Sequence, residues 1–167
     1  MLARIRETGP VFLVPLAWLV VTGAHLDLVS DRAIFIAHLV MAAFIAGFVV
    51  TGWSAMDTGA LAGWRAVMVV GLGITLTGIG GFLGDAEPAL VVSLVGWMLL
   101  PAAGLFYTAR ELTVARSRYA GAGLASVLGA GCYCVWLSGA SEPIALVGFA
   151  LVGLGQTIGI VDAAGRG

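Results

Sequence analysis

The chain has 167 residues, of which 60% are hydrophobic and 10% charged, with 25 glycines and a formal charge of -1. At a mean hydropathy of +1.07 it lacks the polar residues that would cover a water-soluble globule, and it reads as an integral membrane protein. All eight basic residues are arginine, which excludes chemistry on a lysine amine such as a retinal Schiff base, and no basic patch is large enough for nucleic acid.

Six apolar stretches, at about 11–29, 33–56, 61–83, 88–109, 119–139 and 143–162, each approach the roughly 20 residues that cross a ~30 Å hydrocarbon layer. The predicted fold is therefore all-α: a six-helix membrane bundle made of three antiparallel helical hairpins, in one transmembrane domain over 1–167. The opening MLARIRETGP has the charge of a signal peptide, but the apolar run that follows continues to about Val29 without a small-residue cleavage site. It is read as a retained first span.

The first turn collects His25, Asp27, Asp31 and His38, and the two histidines are the only ones in the chain. Equal depth on neighbouring antiparallel spans would let His25 and His38 approach one haem iron from opposite faces. With Asp27 and Asp31 they also make a two-nitrogen, two-oxygen candidate for a metal ion, although the spacing H-x-D-x3-D-x6-H matches no metal signature. A softer version is a proton sensor, because histidine is the side chain that changes charge near neutral pH. Interfacial polar residues bonded to backbone or headgroups are the plainer reading, and no cofactor or metal is assigned.

The stretch from Arg65 to Arg110 carries only Asp85 and Glu87 between its arginines, so it reads as a hairpin with an acidic tip. FLGD at 82–85 falls one glycine short of the GxGD of intramembrane aspartyl proteases. A serine in a GxSx setting with a histidine on a later span is also missing, and no enzyme activity is expected. Pro15 and Pro101 fall inside spans and should kink them unless neighbours satisfy the freed carbonyls. Cys132 and Cys134, two apart on one helix, point to nearly opposite sides and should neither pair nor share a metal.

Gln156 is the only amide within a span, followed by Thr157. Interhelical packing is its plain role, and lining a solute path is the sharper alternative. Small residues four apart, Gly80 with Gly84, Gly121 with Ala125 and Gly129, and Gly155 with Gly159, predict flat strips for helix packing. Such strips also make self-association a partnership to expect, besides the lipid bilayer. No small-molecule ligand is indicated.

With both termini inside, Arg4, Arg6, Arg65, Arg110, Arg116, Arg118 and Arg166 fall on one side and only Arg32 on the other, where Asp27, Asp31, Asp85, Glu87 and Glu142 gather. Positive charge is retained in the cytoplasm, so the expected location is a cell membrane with both termini cytoplasmic.

An internal repeat is visible in three features. Val-Thr-Gly at 21–23, Leu-Thr-Gly at 76–78 and Leu-Ser-Gly at 137–139 each lie near the outer end of an upgoing span. Glu87-Pro88 and Glu142-Pro143 start two downgoing spans, where proline and an acid both suit the first helical turn. Small residues recur on each downgoing arm. On these residues, best over Arg65–Ala163 and especially YAGAGLASVLGAGCYCVWLSGASEPIALVGFALVGLGQTIGIVDA at 119–163, the chain resembles the HdeD-like family of small six-span membrane proteins. The first hairpin departs from that pattern in lacking the proline and carrying both histidines. The resemblance implies a non-enzymatic protein of envelope or acid-stress tolerance, and it brings no catalytic residues. A small transporter or channel lined by Gln156 and Thr157 is the alternative, and a haem-binding redox subunit through His25 and His38 the third.

Overall fold

The computed structural model describes residues 2–166, with side chains over 11–166. Six long helices account for nearly all of it: α1 (Leu2–His25), α2 (Asp31–Gly52), α3 (Gly59–Leu83), α4 (Glu87–Glu111), α5 (Arg116–Leu137) and α6 (Glu142–Ala164). Short 3-10 turns at Ser54–Met56 and Thr113–Ala115 precede α3 and α5. Among the described residues there is no strand. Helices α2, α3, α4 and α6, and α5 together with its preceding turn, are long and apolar enough to cross a membrane. In α1 the apolar part among described residues is the shorter Val11–His25. The side chains of Arg4 and Arg6, on which part of the expected orientation rests, lie outside the described residues.

Three connections share one way of ending a helix. After α1, α3 and α5 the second residue past the helix takes a left-handed backbone: Asp27 at φ 58°, Asp85 at φ 46° and Gly139 at φ 101°. The next amide then reaches back five residues, Leu28 to Gly23 O at 2.8 Å, Ala86 to Gly81 O at 2.9 Å and Ala140 to Val135 O at 3.4 Å. This is the bonding of a Schellman ending, which satisfies carbonyls that the helix terminus would otherwise orphan. Aspartate tolerates that backbone better than most side chains, so Asp27 and Asp85 have a local structural role. The helices that follow start on an acid: Asp31 behind a Ser30 cap, then Glu87-Pro88 and Glu142-Pro143.

The packing order departs from the expected three hairpins. Helices α3 and α4 pair closely, as do α5 and α6, and α4 joins the two pairs by packing on α5. In the first pair, however, α1 lies on α6 and α2 on α3, so that α1 and α2 scarcely touch each other. Glycine placement explains the split. A side-chain carbon at Gly153 on α6 would sit 3.2 Å from Trp18 Cβ, so this glycine opens a seat for α1, whereas Gly47 on α2 has nothing within 4 Å.

The α5–α6 seam is the tightest in the molecule. Cβ atoms added at Gly129 and Gly148 would lie 2.5 and 2.7 Å from each other's carbonyl oxygens, and one at Gly155 would lie 2.5 Å from Ala122 O and 3.2 Å from Ala125 Cβ. Gly159 faces Leu105 of α4. Ala125, Gly129, Gly155 and Gly159 thus take a packing role at helix contacts. Gly80 and Gly121 do not share it, since neither has a neighbour within 4 Å, and Gly84 meets only the Gly80 carbonyl of its own turn. The seam on α3 instead runs through Val67, Gly71, Thr75, Gly78 and Gly81. A spacing of four can be drawn in several phases along a glycine-rich helix; the bulky residues opposite decide which phase is buried. Here Trp97 and Leu90 of α4 fill the space over Gly71 and Gly81.

Candidate functional site

His25 closes α1 and turns its ring into an aromatic box. Trp136 and Tyr133 of α5 stand edge-on to it at centroid distances of 4.6 and 6.3 Å, and Phe149 of α6 at 5.0 Å. Its Nε2 lies 2.5 Å from Oε1 of Glu142, with the His25 side chain 10% exposed and that of Glu142 48%. The contact lies outside hydrogen-bond geometry and is an ion pair only when the imidazole is protonated. The other oxygen of Glu142 accepts a hydrogen bond from Trp136 Nε1 at 3.1 Å. One carboxylate at the start of α6 thus touches the end of α1 and the end of α5, where the helix N-terminus also favours its negative charge.

His38 sits in a different setting. Its Nδ1 meets the Ile34 carbonyl at 2.9 Å, so this nitrogen is the donor of that bond. The ring stands edge-on to Phe82 of α3 at 5.4 Å. Nε2 and Ser93 Oγ both border the notch left by Gly78, at 2.8 and 2.6 Å from where a Cβ would stand. Ser93 is buried and its hydroxyl has no partner.

The two histidines are therefore divided between groups of helices, His25 with α5 and α6 and His38 with α3 and α4. Among the described residues no group of three or more His, Cys, Asp or Glu is placed to hold a metal ion. The set of His25, Asp27, Asp31 and His38 is not brought together, because Asp27 shapes the end of α1 and α1 leaves α2 for α6. A haem shared by His25 and His38 meets the same separation. Sequence proximity across one turn suggested a common site; packing on different neighbours undoes it.

Gln156 ties three helices. Its Oε1 accepts from Trp18 Nε1 of α1 at 3.0 Å, and its Nε2 donates to the Trp97 carbonyl of α4 at 3.1 Å. That carbonyl lies four residues before Pro101, whose ring nitrogen cannot donate the helical bond Trp97 would otherwise receive. The amide takes the place of the missing N–H, and the chain runs helically through Pro101. Both ends of Gln156 are thus spent inside the bundle. Neither the groove of about 400 Å³ between α3 and α4, bordered by Gly63, Ala66, Leu100 and Tyr107, nor the smaller cavity at the start of α2 includes Gln156 or Thr157.

Compared with family models, curated proteins and solved structures, the chain gives no match. Its chemistry has to be read from its own residues.

The opposite end of the bundle is held by arginine. Arg65 pairs with Asp57, donates to the Trp53 carbonyl at 3.3 Å and lies 4.7 Å over the Trp53 ring. Asp162 accepts from Arg118 at 2.8 Å and from Arg166 Nε at 2.5 Å. That hydrogen bond raises the pKa of the Arg166 guanidinium. Trp64 Nε1 donates to Thr108 Oγ1 at 3.0 Å, and Trp97 Nε1 to Thr75 Oγ1 at 3.1 Å. Of the five tryptophans, four thus find an acceptor on another element, while Trp53 lies under a guanidinium. The acid opposite His25 carried one signal, the Glu-Pro pair, which was legible as a helix start.

Proposed function

We propose that this chain is a multi-pass membrane protein of the HdeD-like kind, built on three sequential helix–turn–helix repeats with both termini in the cytoplasm. It acts without catalysis in envelope or acid-stress tolerance. The shared ending of α1, α3 and α5 supports the threefold repeat, and the collection of Arg65, Arg110, Arg116, Arg118 and Arg166 at one end supports the orientation.

The observation that carries the reading is the contact of His25 with Glu142 in its aromatic box. On this orientation the pair faces outward. As external pH falls, a histidine takes up a proton before a carboxylate does. In its protonated form His25 would pair with Glu142 across their 2.5 Å contact. The groups around the ring are Glu142 and Phe149 from α6 and Tyr133 and Trp136 from α5. Helix α1, which leans on α6 and leaves α2 untouched along most of its length, is the element whose attachment this contact changes.

Two experiments test the proposal. Cells lacking the gene should survive acid challenge less well, with wild type restoring survival and His25→Gln failing to do so; equal survival of all strains would end the reading. In purified protein, acidification should quench tryptophan fluorescence through Trp136, and the quench should be lost in His25→Gln. A pH response unchanged by that substitution would remove His25 from the mechanism.

A further inference from the structure

Among the described residues four polar side chains are buried, those of Thr75, Ser93, Thr108 and Ser126. Three of them donate to the carbonyl four residues earlier on their own helix: Thr75 to Gly71 O at 2.9 Å, Thr108 to Gly104 O at 2.9 Å and Ser126 to Ala122 O at 3.1 Å. Ser93 does not. Its hydroxyl, on a residue 2% exposed, has no hydrogen-bond partner and lies toward the His38 ring. Ser93 Oγ and His38 Nε2 stand 2.6 and 2.8 Å from the single point that a Gly78 Cβ would occupy. Three helices meet there, α2 supplying an imidazole, α4 a hydroxyl, and α3 the glycine that lets both approach. The ring is fixed from its other side by the Ile34 carbonyl on Nδ1 and by the edge-on Phe82 ring. Helix α2 has little else to hold it, since it packs on α3 and only Ile45 and Gly52 of its residues are buried.

We propose that the His38–Ser93 pair is an acid-released catch for α2. Because Nδ1 donates to Ile34, a neutral ring presents its lone pair at Nε2, beside a buried O–H that needs an acceptor. Protonation ends this arrangement, for Nε2 gains a hydrogen and the ring becomes a cation in an apolar seam. His25 has Glu142 to receive such a charge. His38 takes part in none of the ion-pair contacts among the described residues, so no carboxylate of theirs stands within 4 Å of it. The charged groups on the elements around it are Asp31 and Arg32 on α2, Asp85 beyond α3 and Glu87 on α4, each six or seven residues along the chain from His38, Gly78 or Ser93. That spacing is about 9 Å of helix rise or more. A charge screened from water and left without a partner is disfavoured, so the protonated ring turns out toward water and headgroups and α2 loosens with it. The two histidines then answer acid in opposite senses, one drawing α1 to α6 and the other freeing α2 from α3. The inference does not depend on the role given to His25.

The full chain in detergent micelles would be followed by hydrogen exchange at pH 8 and pH 5, the range over which histidine changes charge, with the intrinsic pH dependence of exchange divided out. Protection over residues 31–42 should fall at least about fivefold at pH 5 while that of α5 and α6 holds. His38→Gln, neutral throughout, should make protection of α2 the same at both pH values, and His25→Gln should leave the acid loss intact. Ser93→Ala should lower protection of α2 at pH 8 about threefold. In wild type, exchange of the His38 ring C2 hydrogen reports its protonation, and its midpoint should coincide with that of the loss along α2; this arm stands by itself if His38→Gln does not fold. Protection of α2 that is equal or greater at pH 5, an acid loss that persists in a folded His38→Gln variant, unchanged protection at pH 8 in a folded Ser93→Ala variant, or a midpoint apart from that of the ring would each overturn the proposal.

Discussion

Removing the Gln156 amide should expose the defect that Pro101 leaves in α4. In Gln156→Leu two groups lose their partners, the Trp97 carbonyl, which now receives at 3.1 Å, and Trp18 Nε1, which now donates at 3.0 Å. An orphaned buried polar group costs about 1–3 kcal/mol. Measured side-chain hydrogen bonds in membrane helices average only about 0.6 kcal/mol, because the unfolded state in the bilayer finds partners too. Together these place the loss near 2 kcal/mol for the single variant. Pro101→Ala alone should be close to neutral, since it adds a backbone donor to a carbonyl that has a second lone pair to accept it. Combined with Gln156→Leu, the restored N–H satisfies Trp97 and leaves only the indole unpaired, so the double variant should recover about 1 kcal/mol. The assay is a double-mutant cycle of reversible unfolding in mixed micelles, read by circular dichroism. Strict additivity, within the roughly 0.3–0.5 kcal/mol typical of independent sites, would refute the account of Gln156 as the substitute donor for Pro101.

Gly129→Ala should separate α5 from α6, because its Cβ would stand 2.5 Å from Gly148 O and a gap of 0.5–1 Å forfeits about a quarter to a half of the dispersion energy of a contact. The expected cost is about 2–3 kcal/mol, whereas Gly121→Ala, facing open space, should stay within about 0.5 kcal/mol of wild type or stabilise slightly through helix propensity; unfolding curves of the two variants decide it. Gly78→Ala pushes on Ser93 Oγ at 2.6 Å and on the His38 ring at 2.7 Å, and since α2 is held mainly by α3, hydrogen exchange should rise along α2 more than along α5 and α6.

Much of the architecture is legible in the residues. Each helix from α2 to α6 begins and ends within about four residues of the apolar run that predicts it, because backbone bonding in an apolar medium leaves little choice but helix. The helix starts at Glu87-Pro88 and Glu142-Pro143 follow from first-turn chemistry. The partners do not. Hydropathy places His25 and His38 at similar depth but is silent on rotation about the helix axis, and that rotation sends one ring to Trp136 and Phe149 and the other to Phe82. The same silence covers Gly80, Gly84 and Gly121, where the interval suits packing but no neighbouring helix of the chain stands within 4 Å. Gln156 was readable in principle: a lone amide in one span and an internal proline in another are a donor and an orphaned acceptor, yet their heights agree only once α4 and α6 are placed together.

The claim on which the outward-facing histidine depends is that the turns after α1, α3 and α5 lie on the outer side of a lipid layer and the arginine-bearing connections on the inner side. A membrane-impermeant maleimide, applied to intact cells expressing the chain with Cys132 and Cys134 replaced by alanine, tests it directly. A single cysteine at Leu28 should be labelled from outside, and one at Ser117 only after the membrane is opened. Labelling of the Ser117 position in sealed cells, with protection of the Leu28 position, would contradict the topology and with it the proton-responsive role of His25.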